Sequence, residues 1–192
     1  MTIHTGRLVL SPADPLHVPQ DIPTLIAHLQ EIQFCADPIP AMNGHHYLLG
    51  ARFMQLVSFM GCSPFIHLQP TEDGQPFCHL QVIGPLPEPI FLQGRNTTSP
   101  SCGQCRKRIP DWQPLIRQWL ASPTSFQATC PHCGHRQNPA AYNWRQSAGS
   151  GQLFLYVENI FPNEAIPTPE LLKTLEESET PSVAWHYFYI QD

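Results

Sequence analysis

The spacing of apolar residues changes period several times along the chain. Leu8, Val9 and Leu10 form an unbroken apolar run closed by Ser11 and Pro12, which predicts a short strand from Arg7. From Asp21 onward Ile22, Leu25, Ile26, Leu29 and Ile32 recur at helical spacing as far as about Phe34, with Asp21 as the N-cap and Cys35 as a small core residue at the end. The turn Met42–His46 then introduces a second predicted helix. One of its faces carries Leu49, Phe53, Leu56, Val57 and Met60, the opposite side is partly apolar through Leu48 and Phe59, and Gly61 suits its C-cap, so it is expected to lie deeper than the first. His45 and His46 are adjacent, so their side chains diverge; they read as loop or capping residues, with a metal or catalytic role as the alternative.

An internal echo follows. Pro64-Phe65-Ile66-His67-Leu68-Gln69 returns as Pro76-Phe77-Cys78-His79-Leu80-Gln81 around the turn-forming stretch Thr71–Gln75, and the pair reads as a β-hairpin. If Pro70 faces Pro76, His67 lies opposite His79. Ile66, Leu68, Cys78, Leu80 and Val82 then form a core face, with His67, His79, Gln69 and Gln81 on the other. The opposed histidines form a candidate second site for a metal or for acid–base chemistry near neutral pH, against the simpler reading of surface residues on a strand pair.

Residues 84–101 are rich in proline and polar residues and read as a linker holding a short strand at Ile90–Leu92. Asp111 is placed to cap a helix whose Trp112, Leu115, Ile116, Trp119 and Leu120 share a face, ended by Ser122 and Pro123. Asn138 and Pro139 start a short helix through Tyr142, Trp144 and Arg145, stopped by the small residues from Ser147 to Gly151. The chain then resumes with a strand at Leu153–Val157, a helix from Thr168 and Pro169 through Leu171, Leu172 and Leu175, and an aromatic strand at Val183–Ile190. That strand, helix, strand unit is long enough for a parallel crossover, which would set the last strand inside a mixed sheet.

The strongest chemical signal is Cys102-Gly-Gln-Cys105 and Cys130-Pro-His-Cys133, with 24 residues between the pairs. A CxxC turn puts two thiolates on one side of a tight loop, and two such turns supply a tetrahedral sulfur set. Pro131 fixes the second turn and Gly134 can take the positive φ with which the chain leaves it. Over residues 99–137 the stretch resembles the zinc-ribbon and treble-clef families, and the likeness implies structural zinc held by Cys102, Cys105, Cys130 and Cys133. Cys130–Gly134 is also similar to a rubredoxin loop, which keeps iron as the minor alternative; the first loop departs from it because Arg106 follows Cys105. Four protein ligands leave no position for water, so the ion is expected to be structural. His132 and His135 are expected beside the ligands, with His135 as the first substitute.

These readings give an α+β protein, a mixed sheet with several helices and an inserted zinc-ribbon-like module. Residues 1–98 and 146–192 together form one domain and residues 99–145 the insert. The 192-residue length suits that organisation, 42% hydrophobic residues suffice for a core, and 22 prolines predict long irregular connections. Seven cysteines do not make an even disulfide set and no apolar signal core follows Met1, so a reducing, cytoplasmic setting is expected. The longest apolar stretch, Tyr47–Met60, is 14 residues long and contains Arg52, too short and too polar to span a bilayer.

Charge separates the insert from the rest. Residues 102–145 carry a net +5, leaving −10 on the remainder of a chain whose total is −5. A zinc ion with four thiolates accounts for about two of those positive charges. The surplus, on Arg106, Lys107, Arg108, Arg117 and Arg136, permits nucleic-acid binding without demanding it, with Trp112 and Trp119 as stacking platforms or, on the simpler reading, as packing onto the main core. No GxGxxG, P-loop, GxSxG or HExxH is present. The leading expectation is therefore a non-enzymatic protein in which structural zinc supports a protein-interaction or scaffolding role, another protein being the partner. A nucleic-acid binder using the basic module is one alternative; an enzyme using Cys62 or Cys78 with His67 or His79 is another. The pattern resembles small bacterial proteins that carry a zinc ribbon, a likeness that implies no activity.

Overall fold

The computed structural model describes residues 6–60, 66–70 and 74–192. The apolar run at Leu8–Leu10 lies in strand β1 (Gly6–Pro12). Helix α1 (Ile22–Glu31) starts where Asp21 accepts the Thr24 N–H at 3.1 Å, and it buries Leu25, Ile26 and Leu29. Capping of this kind satisfies a donor that the first turn leaves unpaired.

The second predicted helix does not form. Its span is divided among β3 (His45–Leu49), which pairs with β2 (Cys35–Pro38), the single helical turn α2 (Phe53–Leu56) and β4 (Val57–Phe59). The break is at Gly50. A Cβ there would lie 2.1 Å from the Gln33 carbonyl oxygen, and the Gly50 N–H donates to Phe34 O at 2.9 Å, so the backbone passes where only glycine fits. Leu49, Phe53, Leu56 and Val57 are nevertheless buried, by a strand and a turn rather than by one helical face. The Gly61 cap lies outside the described residues.

The echo region holds one described strand, β5 (Leu80–Ile83). Pro64, Phe65 and the turn residues 71–73 lie outside the described residues, and the Cys78 N–H donates to His67 O at 2.7 Å. That bond joins Cys78 to His67, but among the described residues no strand ladder runs between the two halves of the echo. The facial division still follows the alternation, with Cys78, Leu80 and Val82 buried in the core and Ile66 and Leu68 packed against it. Strand β6 (Ile90–Gln93) precedes helix α3 (Trp112–Ala121), where Asp111 occupies the N-cap position but makes no side-chain capping bond. Strands β7 (Ala128–Thr129) and β8 (Arg136–Gln137) form a short pair. The predicted helix after Asn138 is only a 3-10 turn at Pro139–Ala141, because Tyr142 returns to extended backbone. The chain ends with β9 (Ala148–Gly151), β10 (Phe154–Glu158), β11 (Ala165–Pro167), α4 (Pro169–Glu176, capped by Thr168) and β12 (Trp185–Gln191).

Six strands make one sheet in the order β12-β1-β10-β5-β3-β2. The described pairings are antiparallel, which corrects the expected mixed sheet. β10 and β12 do run in the same direction, with α4 between them in sequence. However, β1 sits between the two strands and pairs with both, so β12 forms an edge instead of an interior strand. Leu8, Leu10, Leu80, Val82, Leu155 and Val157 face one side, beneath α1 and α4. Val9, Phe154, Tyr156, Phe188 and Ile190 face the other.

The β6–β9 ribbon touches this second face. Leu92 packs against the Phe188 cluster, and the Gly149 backbone comes so near Phe188 that a Cβ would lie 2.3 Å from the ring. Phe91 and Ala148, on the same ribbon, face a third cluster built from residues 102–144. The cysteine-bearing segment thus leaves and rejoins the main sheet through two paired strands.

Candidate metal centre

Each cysteine pair occupies a turn with the same backbone pattern. In the first, Cys102 N–H donates to Lys107 O at 3.0 Å and Arg106 N–H to Cys102 O at 2.9 Å. In the second, Cys130 N–H donates to His135 O at 2.8 Å and Gly134 N–H to Cys130 O at 3.0 Å. The residue after each second cysteine is left-handed, Arg106 at φ 60° and Gly134 at φ 73°. The sequence anticipates this for Gly134 but not for Arg106, whose side chain carries a steric cost that glycine does not. An N–H also points at the first sulfur of each turn, from Gln104 to Cys102 Sγ and from His132 to Cys130 Sγ, both at 3.4 Å.

The two turns face each other. The four sulfurs lie within 4.8 Å of one another, and Cys102 Sγ to Cys133 Sγ and Cys105 Sγ to Cys130 Sγ are each 3.8 Å. A disulfide requires about 2.05 Å. A tetrahedral ion with metal–sulfur bonds of about 2.3 Å requires sulfur–sulfur edges of about 3.8 Å, which these two pairs match while the remaining edges stay within 4.8 Å. The charges argue the same way. Against its burial, Cys130 is lowered to about 6 by the N–H groups of His132 and Cys133. Although the His135 N–H favours its thiolate, Cys133 is pushed up to about 12 by desolvation and by the sulfurs of Cys105, Cys130 and Cys102. Four thiols this close cannot all ionise unless a cation joins them. The donor set therefore fits a structural metal ion, and all four positions come from protein.

Neighbouring side chains tie the turns together. His132 Nε2 lies 3.0 Å from Arg108 O, linking the second turn to the first, and Gln137 Oε1 accepts the Gly103 N–H at 3.2 Å. Nothing in the sequence singles out Gln137, whose role depends on β8 lying beside the first turn. His135 is exposed and outside the sulfur cluster. Behind the centre Trp112 and Trp144 meet edge to face with centroids 5.0 Å apart, and Phe91 lies 4.8 Å from Trp144. Trp119 is fully buried and donates to Pro123 O at 3.1 Å. Trp112 and Trp144 therefore pack within this segment's own cluster rather than against the main core, and with Trp112 at 7% and Trp119 at 0% exposure neither serves as a stacking platform. Arg106, Lys107, Arg108, Arg117 and Arg136 are exposed, and among the described residues none has an ion-pair partner.

The candidate histidine pair is arranged differently from the expectation. His67 is exposed and His79 is buried, and the rings beside His79 are those of His46 and Phe77, each at 5.1 Å. The β3–β5 register explains this: His46 is opposite Gln81, so His79 is its diagonal neighbour on the same face. Glu158 follows on the next strand, its N–H donating to His79 O at 3.0 Å and its carboxylate 3.4 Å from Arg7 Nε. Burial, then the neighbouring His79, lower the pKa of His46; burial lowers that of His79 and raises that of Glu158. Cys78 lies in the opposite core, its Sγ 3.3 Å from Asn159 O and its thiol pushed up to about 12 by burial, so it is a packing residue rather than a nucleophile. Cys62 lies outside the described residues.

Among the described residues no helix is long and apolar enough to cross a membrane. No family model, curated protein or solved structure matches the chain.

Proposed function

We propose that residues 99–145 form an inserted module held by one structural zinc ion, and that the protein serves as a non-enzymatic interaction or scaffolding component rather than as a catalyst. The single observation that supports this most is the set of four cysteine sulfurs spaced for one tetrahedral ion, with every coordination position supplied by protein. Zinc is preferred over iron because an ion without redox chemistry suits a clip, while both accept four thiolates. The clip has work to do. The segment joins the sheet through a four-residue strand pair, and its own cluster is small, so metal binding supplies folding free energy that packing there does not.

The test is elemental analysis of protein purified without added metal. One zinc per chain, lost together with order in the segment when a chelator is added, is the expected result. Iron in its place would replace the ion and keep the clip; no stoichiometric metal would end the reading.

A further inference from the structure

Strand β12 is an edge of the six-stranded sheet, and its outward main-chain groups are unevenly used. The bonding parity follows from the ladder. Tyr189 N–H donates outward to Gln146 O at 2.9 Å, so the odd residues of β12 face away from β1. Farther along, Tyr189 O accepts from Asn96 Nδ2, Gln191 N–H donates to Asn96 Oδ1 and Gln191 O accepts the Arg95 N–H, so this end of the edge is closed. Before the strand, Val183 N–H donates to Glu176 O at 3.2 Å. Between these closures the outward N–H and C=O groups of Trp185 and Tyr187 have no hydrogen-bond partner among the described residues.

The open stretch borders a groove of about 350 Å³ between the main sheet and the metal-bearing segment, lined among others by Trp144, Leu172, Trp185 and Phe188. Its lining residues include Arg145 and no carboxylate. Arg145 is exposed and has no ion-pair partner among the described residues.

We propose that the Trp185–Tyr187 edge accepts an extended segment of a partner protein as an added antiparallel or parallel strand, with an apolar side chain entering the groove and an acidic residue near Arg145. Unpaired strand edges are templates for this mode of recognition, in which main-chain bonds supply affinity and flanking pockets supply selectivity. Two outward residues offer four main-chain bonds. A second copy of the chain pairing through the same edge would bring the same groove lining, with Arg145 and no carboxylate, against itself, so it supplies no acidic partner there. The inference rests on the proposed metal-held module, since Trp144 and Gln146 form one wall.

The test selects phage-displayed random heptapeptides on the zinc-loaded full chain, then measures binding of the resynthesised peptides by fluorescence polarisation. The expected result is peptides carrying an acidic and an apolar residue, losing about tenfold or more in affinity when alternate backbone nitrogens are methylated. Tyr187→Pro removes one outward N–H, which an edge strand tolerates, and is expected to bind at least about tenfold more weakly than Tyr187→Ala, which keeps it. The N-methyl series stands without the proline variant should that variant not fold. No selected peptide binding at about 100 μM, or affinity indifferent to both N-methylation and Tyr187→Pro, overturns the proposal, as does a chain dimer that Tyr187→Pro dissociates. Zinc content is measured on the same sample, so loss of the clip reading registers separately from loss of the edge.

Discussion

The two cysteine turns place different residues, Arg106 and Gly134, in the same left-handed conformation, which makes their strain measurable. Gly134 at φ 73° has nothing within 4 Å of where a Cβ would stand, so Gly134→Ala meets no clash and isolates the backbone term. Left-handed backbone costs a non-glycine residue about 1–2 kcal/mol, and glycine's larger loss of freedom on folding returns about 0.5–1 kcal/mol of that. Gly134→Ala should therefore destabilise the metal-bound segment by roughly 0.5–1 kcal/mol. Arg106→Gly, at φ 60°, should stabilise it by a similar amount. Because ligand binding and folding are linked in such segments, both changes appear in metal affinity, about two- to fivefold weaker and tighter respectively. Competition of each variant against a chromophoric zinc chelator reads them directly, and the double variant should return close to the parent. If Arg106→Gly weakens metal binding, or Gly134→Ala costs more than about 3 kcal/mol, the equivalence of the two turns is wrong.

Three further outcomes follow from the packing and electrostatics. Chelation should abolish amide protection across residues 101–144 while β1, β10 and β12 keep theirs, since none of the four cysteines lies in the main sheet; simultaneous loss everywhere in a hydrogen-exchange experiment would contradict this. Gly149→Ala should destabilise the whole protein by about 1–3 kcal/mol in urea unfolding, because its Cβ would stand 2.3 Å from the buried Phe188 ring, and Phe188→Leu should recover part of the loss. Burial holds His46, His79 and His186 below their ordinary 6.5, so the folded state binds fewer protons than the unfolded one. Stability should be full above about pH 6.5 and decline as pH falls below it, with His79→Phe flattening the decline. Glu158, raised by burial above its ordinary 4.5, acts oppositely and sheds stability as pH rises through its own window. A urea midpoint unchanged between about pH 7.5 and 5.5 would refute the histidine assignment.

Local chemistry in the sequence was sufficient where one short segment carries all the information. The CxxC spacing brings Cys102 near Cys105 and Cys130 near Cys133 whatever surrounds them, and Asp21 and Thr168 cap helices through bonds to residues three positions on. The strands at Leu8–Leu10 and Ile90–Leu92 were equally legible, because an apolar run bounded by turn residues has few other uses. The stretch from His45 to Met60 was not. Its apolar residues satisfy helical spacing, and the deciding facts are the pairing of β3 with β2 and β5 and the passage of Gly50 against Gln33, both contacts with residues far enough away in sequence to leave no local trace. The glycine within the helical pattern was the one available signal.

Tertiary structure also decided which histidines meet. The echo over 64–81 pointed His79 at His67, but His79 became the neighbour of His46 because β5 pairs with β3. The same holds for the edge position of β12: a strand, helix, strand pattern cannot reveal that β1 enters between β10 and β12. What the amino-acid sequence determined alone is the set of groups that meet within a few residues, cysteine pairs and caps among them. Which elements lie side by side, and so which polar groups are buried and which sheet edge stays open, depended on long-range pairing, whose free energy comes from burying both faces of the sheet at once.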